Sequence, residues 1–224
     1  MTLRLTMLAI LIPVVALLGG FTYQSYTRSQ EIVARLTDAQ SSVAEARWLY
    51  DAVHELQKER GYSAGYLSSN GQQFAADLAA QRVQSDHAVA RLSAPLPYIR
   101  KAAPEQMALV DAAVRDIADW RGAVDRFDKT VSQMAGLYTG LIQTLLDAGG
   151  MGAPQMANSA LPDLLMAKAL LSQAKENAGL ERAMGAAGVG AGGFAPAAHT
   201  NYVRLGAVQM SLLDEAARVL QRPD

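Results

Sequence analysis

The fold of this chain is decided by residues 49–60, which read LYDAVHELQKER. Leu49, Val53 and Leu56 recur at spacings of four and three, which is the pattern of one apolar face of an amphipathic helix. Arg60 follows at a further step of four, so its side chain is expected to point at least partly into a core. The segment therefore predicts a helix that packs on one side and brings a guanidinium group close to the interior.

The composition of the remaining sequence extends this pattern to the whole chain. Half of the 224 residues are hydrophobic, which is enough to build a sizeable core. Alanine and leucine are abundant and β-branched residues rarely alternate with polar ones, so local propensity favours helix almost throughout. We expect an all-α protein whose long helices, joined by short connections, pack as an up-and-down bundle.

Clusters of Gly, Pro, Ser and Asn divide the sequence into helical segments. Five glycines lie between residues 185 and 193. They are too many for a rigid helix, so this stretch is predicted to be a loosened helix end or a flexible connector. The other predictions are a first helix ending at the turn 68–71, a second helix over 72–92, a third from Pro104 through Tyr138 to Leu145, a break at 149–152, a fourth helix from Pro162 and a last helix over 200–220.

The N-terminal segment carries no charged residue from Leu5 to Thr27, and Arg4 and Arg28 stand on either side of it. A stretch of about 23 residues is long enough for a helix to cross a hydrocarbon core roughly 30 Å thick. A cleaved secretory signal is the alternative, but Gly19-Gly20 is a poor substitute for an A-x-A cleavage site. We therefore predict that residues 1–28 form an uncleaved transmembrane anchor.

The anchor sets the expected location of the rest of the chain. No second long apolar run follows it, so residues 29–222 are expected to form a helical sensor domain on one side of the membrane. The basic residue near the start favours a cytoplasmic N-terminus. The sequence thus predicts a single-pass protein of the inner membrane, with the bulk of the chain in the periplasm.

Charge and residue usage exclude several classes of function. The net charge of −1 provides no basic field that would attract phosphates, so nucleic acid is not an expected partner. There is no cysteine, and His54, His87 and His199 lie far apart, so neither a metal site nor a cofactor is expected. No nucleophile, base and orienting residue stand at a diagnostic spacing, so the chain is not expected to be an enzyme.

The inward position of Arg60 allows two interpretations, because a buried guanidinium needs a partner. In the first, Arg60 pairs with a carboxylate of a neighbouring helix, such as Glu176 or Glu181, and the pair is purely structural. In the second, Arg60 and Arg182 converge from two helices and leave a cationic hole that a small anion fills. Because two like charges repel when the hole is empty, such an anion would draw the helices together.

Two tyrosines follow Arg60 on the same helix. Tyr62 and Tyr66 are four residues apart and therefore share one face. Their hydroxyl groups could donate hydrogen bonds to an anion held by the arginines. Tyrosines in such positions are more often packing residues with one end in water, so both interpretations stay open.

Several segments together resemble a known family. The segment 56–61 reads LQKERG and is followed by YL at 66–67, and the segment 179–183 reads GLERA and is followed by GF at 193–194. These pairs resemble the two signature segments of the nitrate/nitrite-sensing (NIT) domain family, and YTGLI at 138–142 is similar to its intervening helix. The resemblance covers roughly residues 40 to 220, and the two segments in this order are more specific than either one alone.

The resemblance implies a helical bundle that binds nitrate or nitrite between helices through arginines. Arg60 and Arg182 match the signature arginines of the family, and Tyr62 and Tyr66 are further candidates for ligand contacts. It also implies a homodimer that passes its signal to an output module. No such module follows here, so we expect a separate signalling partner or a longer receptor. The expected function is a membrane-anchored oxyanion sensor, and the alternative is a membrane-tethered protein-interaction module with structural Glu/Arg pairs.

Overall fold

A computed structural model describes residues 3–152, 161–190 and 193–221 of the chain. Within these ranges the regular structure is helical and no strand is present, which confirms the expected all-α class. The chain divides into two compact units, Met1–Ser41 and Ser42–Asp224. The helices are α1 (Leu3–Ser68), α2 (Ala75–Ala90), α3 (Pro97–Ala102), α4 (Pro104–Asp125), α5 (Val131–Gly152), α6 (Leu161–Gly190) and α7 (Pro196–Leu220), with a 3₁₀ turn over Arg91–Ser93.

The predicted transmembrane anchor over residues 1–28 is not supported. Among the helices in the described part of the chain, none is long and apolar enough to cross a membrane. The absence of charge alone singled out Leu5–Thr27, but the pair Gly19-Gly20 and the polar sequence TYQSYT at 22–27 lower the apolar content of this stretch. The prediction of a single-pass inner-membrane protein with its bulk in the periplasm is therefore wrong.

The core of the second unit surrounds the C-terminal part of α1. Leu49 and Leu56 have no exposed surface and Val53 is almost fully buried, as the spacing predicts. Helices α4 and α5 pack on each other, as do α6 and α7, and α5 also contacts α3 and α6. The described helices of this unit therefore form a bundle in which one face of α1 is covered by other helices.

The third predicted helix is in fact two helices, α4 and α5. The chain turns between them at Phe127, whose φ of 59° lies in the left-handed region. Thr130 then caps α5: its Oγ1 accepts from the Gln133 backbone N at 3.2 Å, and Gln133 Oε1 accepts from the Thr130 backbone N at 3.0 Å. This is a capping box, and the sequence pattern T-x-x-Q carried the signal that the periodicity obscured.

Two glycine-rich stretches are helical where breaks were predicted. Residues 149–152 belong to α5 and residues 185–190 belong to α6, while residues 191–192 lie outside the described part. A Cβ atom at Gly188 would collide with the ring of Phe194. The glycine therefore serves close packing of an aromatic ring against the helix, and the helix tolerates it because this contact offsets the cost of its backbone freedom.

The short helix α3 depends on a buried carboxylate of α1. Glu45 is 4% exposed and accepts hydrogen bonds from the backbone N of Tyr98 at 3.1 Å and of Ile99 at 3.0 Å. These are N–H groups of the first turn of α3, which lack partners within their own helix. Burial raises the pKa of Glu45, although the two backbone hydrogen bonds oppose the shift. Glu45 thus supplies a cap from another helix.

Replacing Glu45 with Ala should lower the free energy of unfolding by about 1 kcal/mol, the usual cost of losing an N-terminal cap. The substitution leaves two backbone N–H groups of α3 without their acceptor. Equilibrium urea unfolding measures the loss. Glu31, an exposed residue of α1, provides the control; equal stability of Glu45→Ala and Glu31→Ala would contradict the role of Glu45 as a cap.

Candidate functional site

Two adjacent residues of α1, Glu59 and Arg60, form ion pairs with different helices. Glu59 has no exposed surface. Its Oε1 accepts from Arg121 Nε at 2.7 Å and from the Tyr138 hydroxyl at 2.7 Å, and its Oε2 accepts from Arg121 Nη2 at 2.9 Å. A single carboxylate thereby joins α1 to α4 and α5.

The contacts of Glu59 continue into α2 through a second arginine. Arg82 Nε lies 3.9 Å from Glu59 Oε1, and both terminal nitrogens of Arg82 donate to Asp125. Burial of Glu59 favours its neutral form, but hydrogen bonds from Arg121, Ser85 and Tyr138 outweigh burial and hold the pKa of Glu59 below its ordinary value. The carboxylate is therefore ionised at neutral pH and fully paired.

Replacing Glu59 with Gln should destabilise the protein by about 3–5 kcal/mol, because the buried Arg121 guanidinium loses its counter-charge. Since the pKa of Glu59 is lowered on folding, its contribution is present above pH 4.5, the ordinary pKa of the group, and is lost as the pH falls through the lower value of the folded state. Urea unfolding at several pH values should show the difference between variant and parent shrinking in acid.

Asp119→Asn is the control for this substitution, because Asp119 is exposed on the same helix as Arg121. It should change the free energy of unfolding by less than about 0.5 kcal/mol. A Glu59→Gln protein as stable as this control would show that the carboxylate does not hold the helices together.

Arg60 is held by α5 and α6. Its Nη1 donates to Glu176 Oε1 at 2.6 Å and to Thr139 Oγ1 at 2.7 Å, and its Nη2 donates to Glu176 Oε2 at 3.1 Å. Gln57 Nε2 also donates to Glu176 at 2.8 Å. The side chains of Arg60 and Glu176 are 12% and 2% exposed. Arg60 therefore points inward, as predicted, and pairs with one of the two carboxylates that the structural interpretation named.

These contacts leave one edge of the Arg60 guanidinium open. Among the described residues, its hydrogen bonds use three of the five N–H donors, and the N–H of Nε and one N–H of Nη2 remain. These two donors are parallel and form a fork that matches two oxygens of a planar oxyanion. Gly179 of α6 lies beside this edge, since a Cβ built on it would be 3.8 Å from Nη2.

Arg182 stands on the neighbouring part of α6. It is exposed and lines a cavity of about 500 Å³ between α6 and α7, together with Glu181, Phe194 and Tyr202. Arg182 is three residues beyond Gly179, so the two positions are neighbours on the helix surface. The structure thus pairs Arg60 with Glu176 of α6 and places Arg182 at the cavity between α6 and α7.

The two candidate tyrosines contact other aromatic rings. The Tyr62 ring centroid lies 6.3 Å from that of Phe74, and the Tyr66 ring is stacked at 5.2 Å on Phe127. These contacts direct both rings toward the start of α2 and the connection between α4 and α5. Within the described residues no hydrogen bond joins either tyrosine to Arg60, and their role as ligand contacts stays a prediction.

The periodicity analysis missed Arg121, which neutralises Glu59. A signal was available, because Arg121 follows Ile117 at a step of four, the same relation that Arg60 has to Leu56. Thr139 was also missed as a partner of Arg60. Thr139 follows Tyr138 in the sequence of α5, and nothing in its local sequence distinguishes it from an ordinary helical threonine.

Arg60 of α1 thus lies at an interface with α6, beside Gly179, in an all-helical bundle. The sequence matches the family described as nitrate and nitrite sensing (NIT) over residues 51–224, which is most of the chain. The chain belongs to the NIT family, and the resemblance inferred from its two signature segments is confirmed.

The structure is also similar to a solved one, titled "Structure of the NasR transcription antiterminator". The two share 25% sequence identity with a TM-score of 0.78, and the match covers 90% of this chain and 56% of that chain. The chain thus spans little more than half the length of that protein. No curated protein sequence matches it. The family and this neighbour point to a signalling or regulatory role and not to an enzyme, as predicted.

Proposed function

We propose that this chain is a signal-transduction sensor domain that binds nitrate or nitrite between α1 and α6, with Arg60 as the main ligand contact. The observation that carries the proposal is the open edge of the Arg60 guanidinium, where two parallel N–H donors have no partner among the described residues. A planar oxyanion accepts from such a fork with two of its oxygens. Membership of the nitrate and nitrite sensing family supports this choice of ligand.

The surroundings of Arg60 support binding of a monovalent anion. Glu176 and Thr139 fix the guanidinium in place, so little conformational freedom is lost when a ligand arrives. Glu176 neutralises the charge of Arg60, and Arg182 supplies the additional positive charge that an anion needs. Because Arg182 is exposed, its long side chain can turn toward the ligand from the neighbouring turn of α6.

A ligand between these arginines would couple α1 to α6. An anion that binds Arg60 on α1 and Arg182 on α6 favours the arrangement in which the two helices are close. It shifts the population only if it binds this arrangement more tightly than the alternative. The homodimer and the separate output partner remain predictions of this proposal.

A double substitution, Arg60→Gln with Glu176→Gln, separates binding from folding. Arg60→Gln alone leaves the buried carboxylate of Glu176 uncompensated and should cost about 3–5 kcal/mol. The double variant leaves no uncompensated charge at this position and should recover much of this stability, yet it should bind nitrate and nitrite much more weakly than the parent. Calorimetric titration with both anions measures binding, and urea unfolding measures stability.

Arg115→Ala serves as the control, because Arg115 is exposed on α4. It should bind nitrate as the parent does. Nitrate binding by the folded double variant with unchanged affinity would exclude Arg60 as a ligand contact.

Replacing Arg182 with Ala should weaken nitrate binding by about tenfold, equivalent to the loss of one charge-assisted hydrogen bond. The melting temperature should not change, because the Arg182 side chain is exposed. In a titration series, the loss caused by Arg182→Ala should also shrink when Arg60 is already replaced, since both residues contact one ligand. Full additivity of the two losses would place the arginines at separate sites.

The alternative function is a protein-interaction module in which Arg60 has only a structural role. The bidentate Arg60–Glu176 pair favours this interpretation, because it satisfies the inward guanidinium without a ligand. If neither nitrate nor nitrite produces heat or raises the melting temperature at millimolar concentration, the interaction module becomes the better explanation of the fold.

A further inference from the structure

A second cavity between α1 and α6 has a chemistry different from that of the Arg60 site. Its volume is about 320 Å³. It lies on the N-terminal side of Arg60 along α1, and none of the residues around it has been assigned a role in nitrate binding. Its polar lining includes Tyr50, His54 and Gln57 from α1 and Lys168, Ser172 and Lys175 from α6.

Two lysines give this cavity a positive charge. Lys168 and Lys175 are seven residues apart, which places them two turns apart on the same face of α6. Among the described residues neither forms an ion pair: Lys175 Nζ lies 2.9 Å from His54 Nδ1, and Lys168 Nζ lies 5.5 Å from the centre of the Tyr50 ring. Burial and the nearby Lys168 lower the pKa of Lys175. Two ammonium groups therefore lie at one cavity without an ion pair among the described residues, although the charges of Glu176 and Glu55 act on Lys175.

The remaining charged group of the lining forms ion pairs with arginines. Asp51 carries a carboxylate, and its Oδ2 lies 3.5 Å from Arg91 and 4.0 Å from Arg47. Burial, followed by the charge of Lys175, lowers the pKa of His54. An ammonium group can only donate, so His54 Nδ1 accepts from Lys175 and Nε2 carries the ring proton. The lining therefore carries two ammonium groups and one carboxylate, and its histidine has an N–H donor at Nε2.

Two buried polar atoms in the lining lack hydrogen-bond partners. Tyr50 is 7% exposed, and its hydroxyl has no partner among the described residues. Burial raises the pKa of Tyr50 to about 12, so this group is a neutral donor. The Oε1 of Gln57 is also buried without a partner, because its amide nitrogen donates to Glu176. Unpaired buried polar atoms are rare in folded proteins and call for a ligand or water.

We propose that this cavity is a second anion site, which binds a divalent phosphate group through Lys168 and Lys175. Two ammonium charges match a dianion, whereas nitrate would neutralise only one of them. The unpaired Tyr50 hydroxyl donates to a phosphate oxygen. The unpaired Gln57 Oε1 accepts from the hydroxyl of hydrogenphosphate, which sulfate lacks. The chemistry of the lining thus distinguishes this ligand class both from nitrate and from sulfate.

Gln57 connects the two sites. It lines the phosphate cavity with its oxygen and donates from its nitrogen to Glu176, the partner of Arg60. A phosphate that fixes the Gln57 side chain also fixes the carboxylate that orients Arg60. The phosphate site is nevertheless built from other residues, so it can exist whether or not Arg60 binds nitrate.

Calorimetric titration of the full chain with inorganic phosphate tests the proposal. We expect saturable binding, weaker binding of sulfate, and a loss of at least about tenfold in phosphate affinity for Lys168→Gln with Lys175→Gln. Lys101→Gln is the control, because Lys101 is an exposed lysine of α3 away from the cavity. It should bind phosphate as the parent does.

Tyr50→Phe supplies a second test that does not alter charge. It removes an unpaired hydroxyl while the ring keeps its packing, so the protein should stay folded but bind phosphate more weakly. Phosphate binding should persist in the double variant of Arg60 and Glu176, which separates this site from the nitrate proposal. Absence of saturable phosphate binding at millimolar concentration, tighter binding of sulfate, or unchanged affinity in the lysine double variant would overturn the assignment.

Discussion

The buried carboxylate of Glu59 imposes the constraint on which the bundle depends. A charge without solvent contact is costly unless it is paired and hydrogen-bonded, so α1 can enter the core only where other helices supply donors. Arg121 and Tyr138 supply them, and Arg82 adds positive charge from α2. The relative positions of three helices around α1 are thereby tied to one charged group as well as to apolar packing.

Because Glu59 and Arg60 are adjacent in α1, their side chains point toward different helices. Successive residues of a helix point about 100° apart, so the acid is directed toward α4 while the base is directed toward α6. In the Glu59–Arg121 pair the carboxylate has no contact with solvent, because Glu59 is fully buried. In the Arg60–Glu176 pair one edge of the guanidinium has N–H donors without a partner among the described residues. One stretch of α1 thus combines a fully paired carboxylate with a guanidinium that keeps two N–H donors without partners among the described residues.

Helical periodicity predicted the all-α class, the buried face of α1 and the inward direction of Arg60, because these depend on local spacing. The break between α4 and α5 was missed, since the apolar stripe continues in register through the Thr130–Gln133 capping box. The Arg60–Glu176 contact was one of two open alternatives, because sequence spacing within α1 and α6 does not fix how the helices are rotated against each other. The absence of charged residues at the N-terminus wrongly indicated a membrane anchor, because hydropathy and length decide whether a helix can cross a membrane.

The aromatic contact at Gly188 has a consequence for stabilising the protein by design. Alanine is the better helix former by about 1 kcal/mol, so replacing a helical glycine with alanine is a common route to higher stability. At Gly136 of α5 a Cβ atom would meet nothing within 4 Å, and the substitution keeps this full benefit. At Gly188 the added methyl group would displace the Phe194 ring from its packing against α6. The same substitution therefore has effects of opposite sign on stability in two helices of one bundle, and thermostable variants must leave Gly188 unchanged.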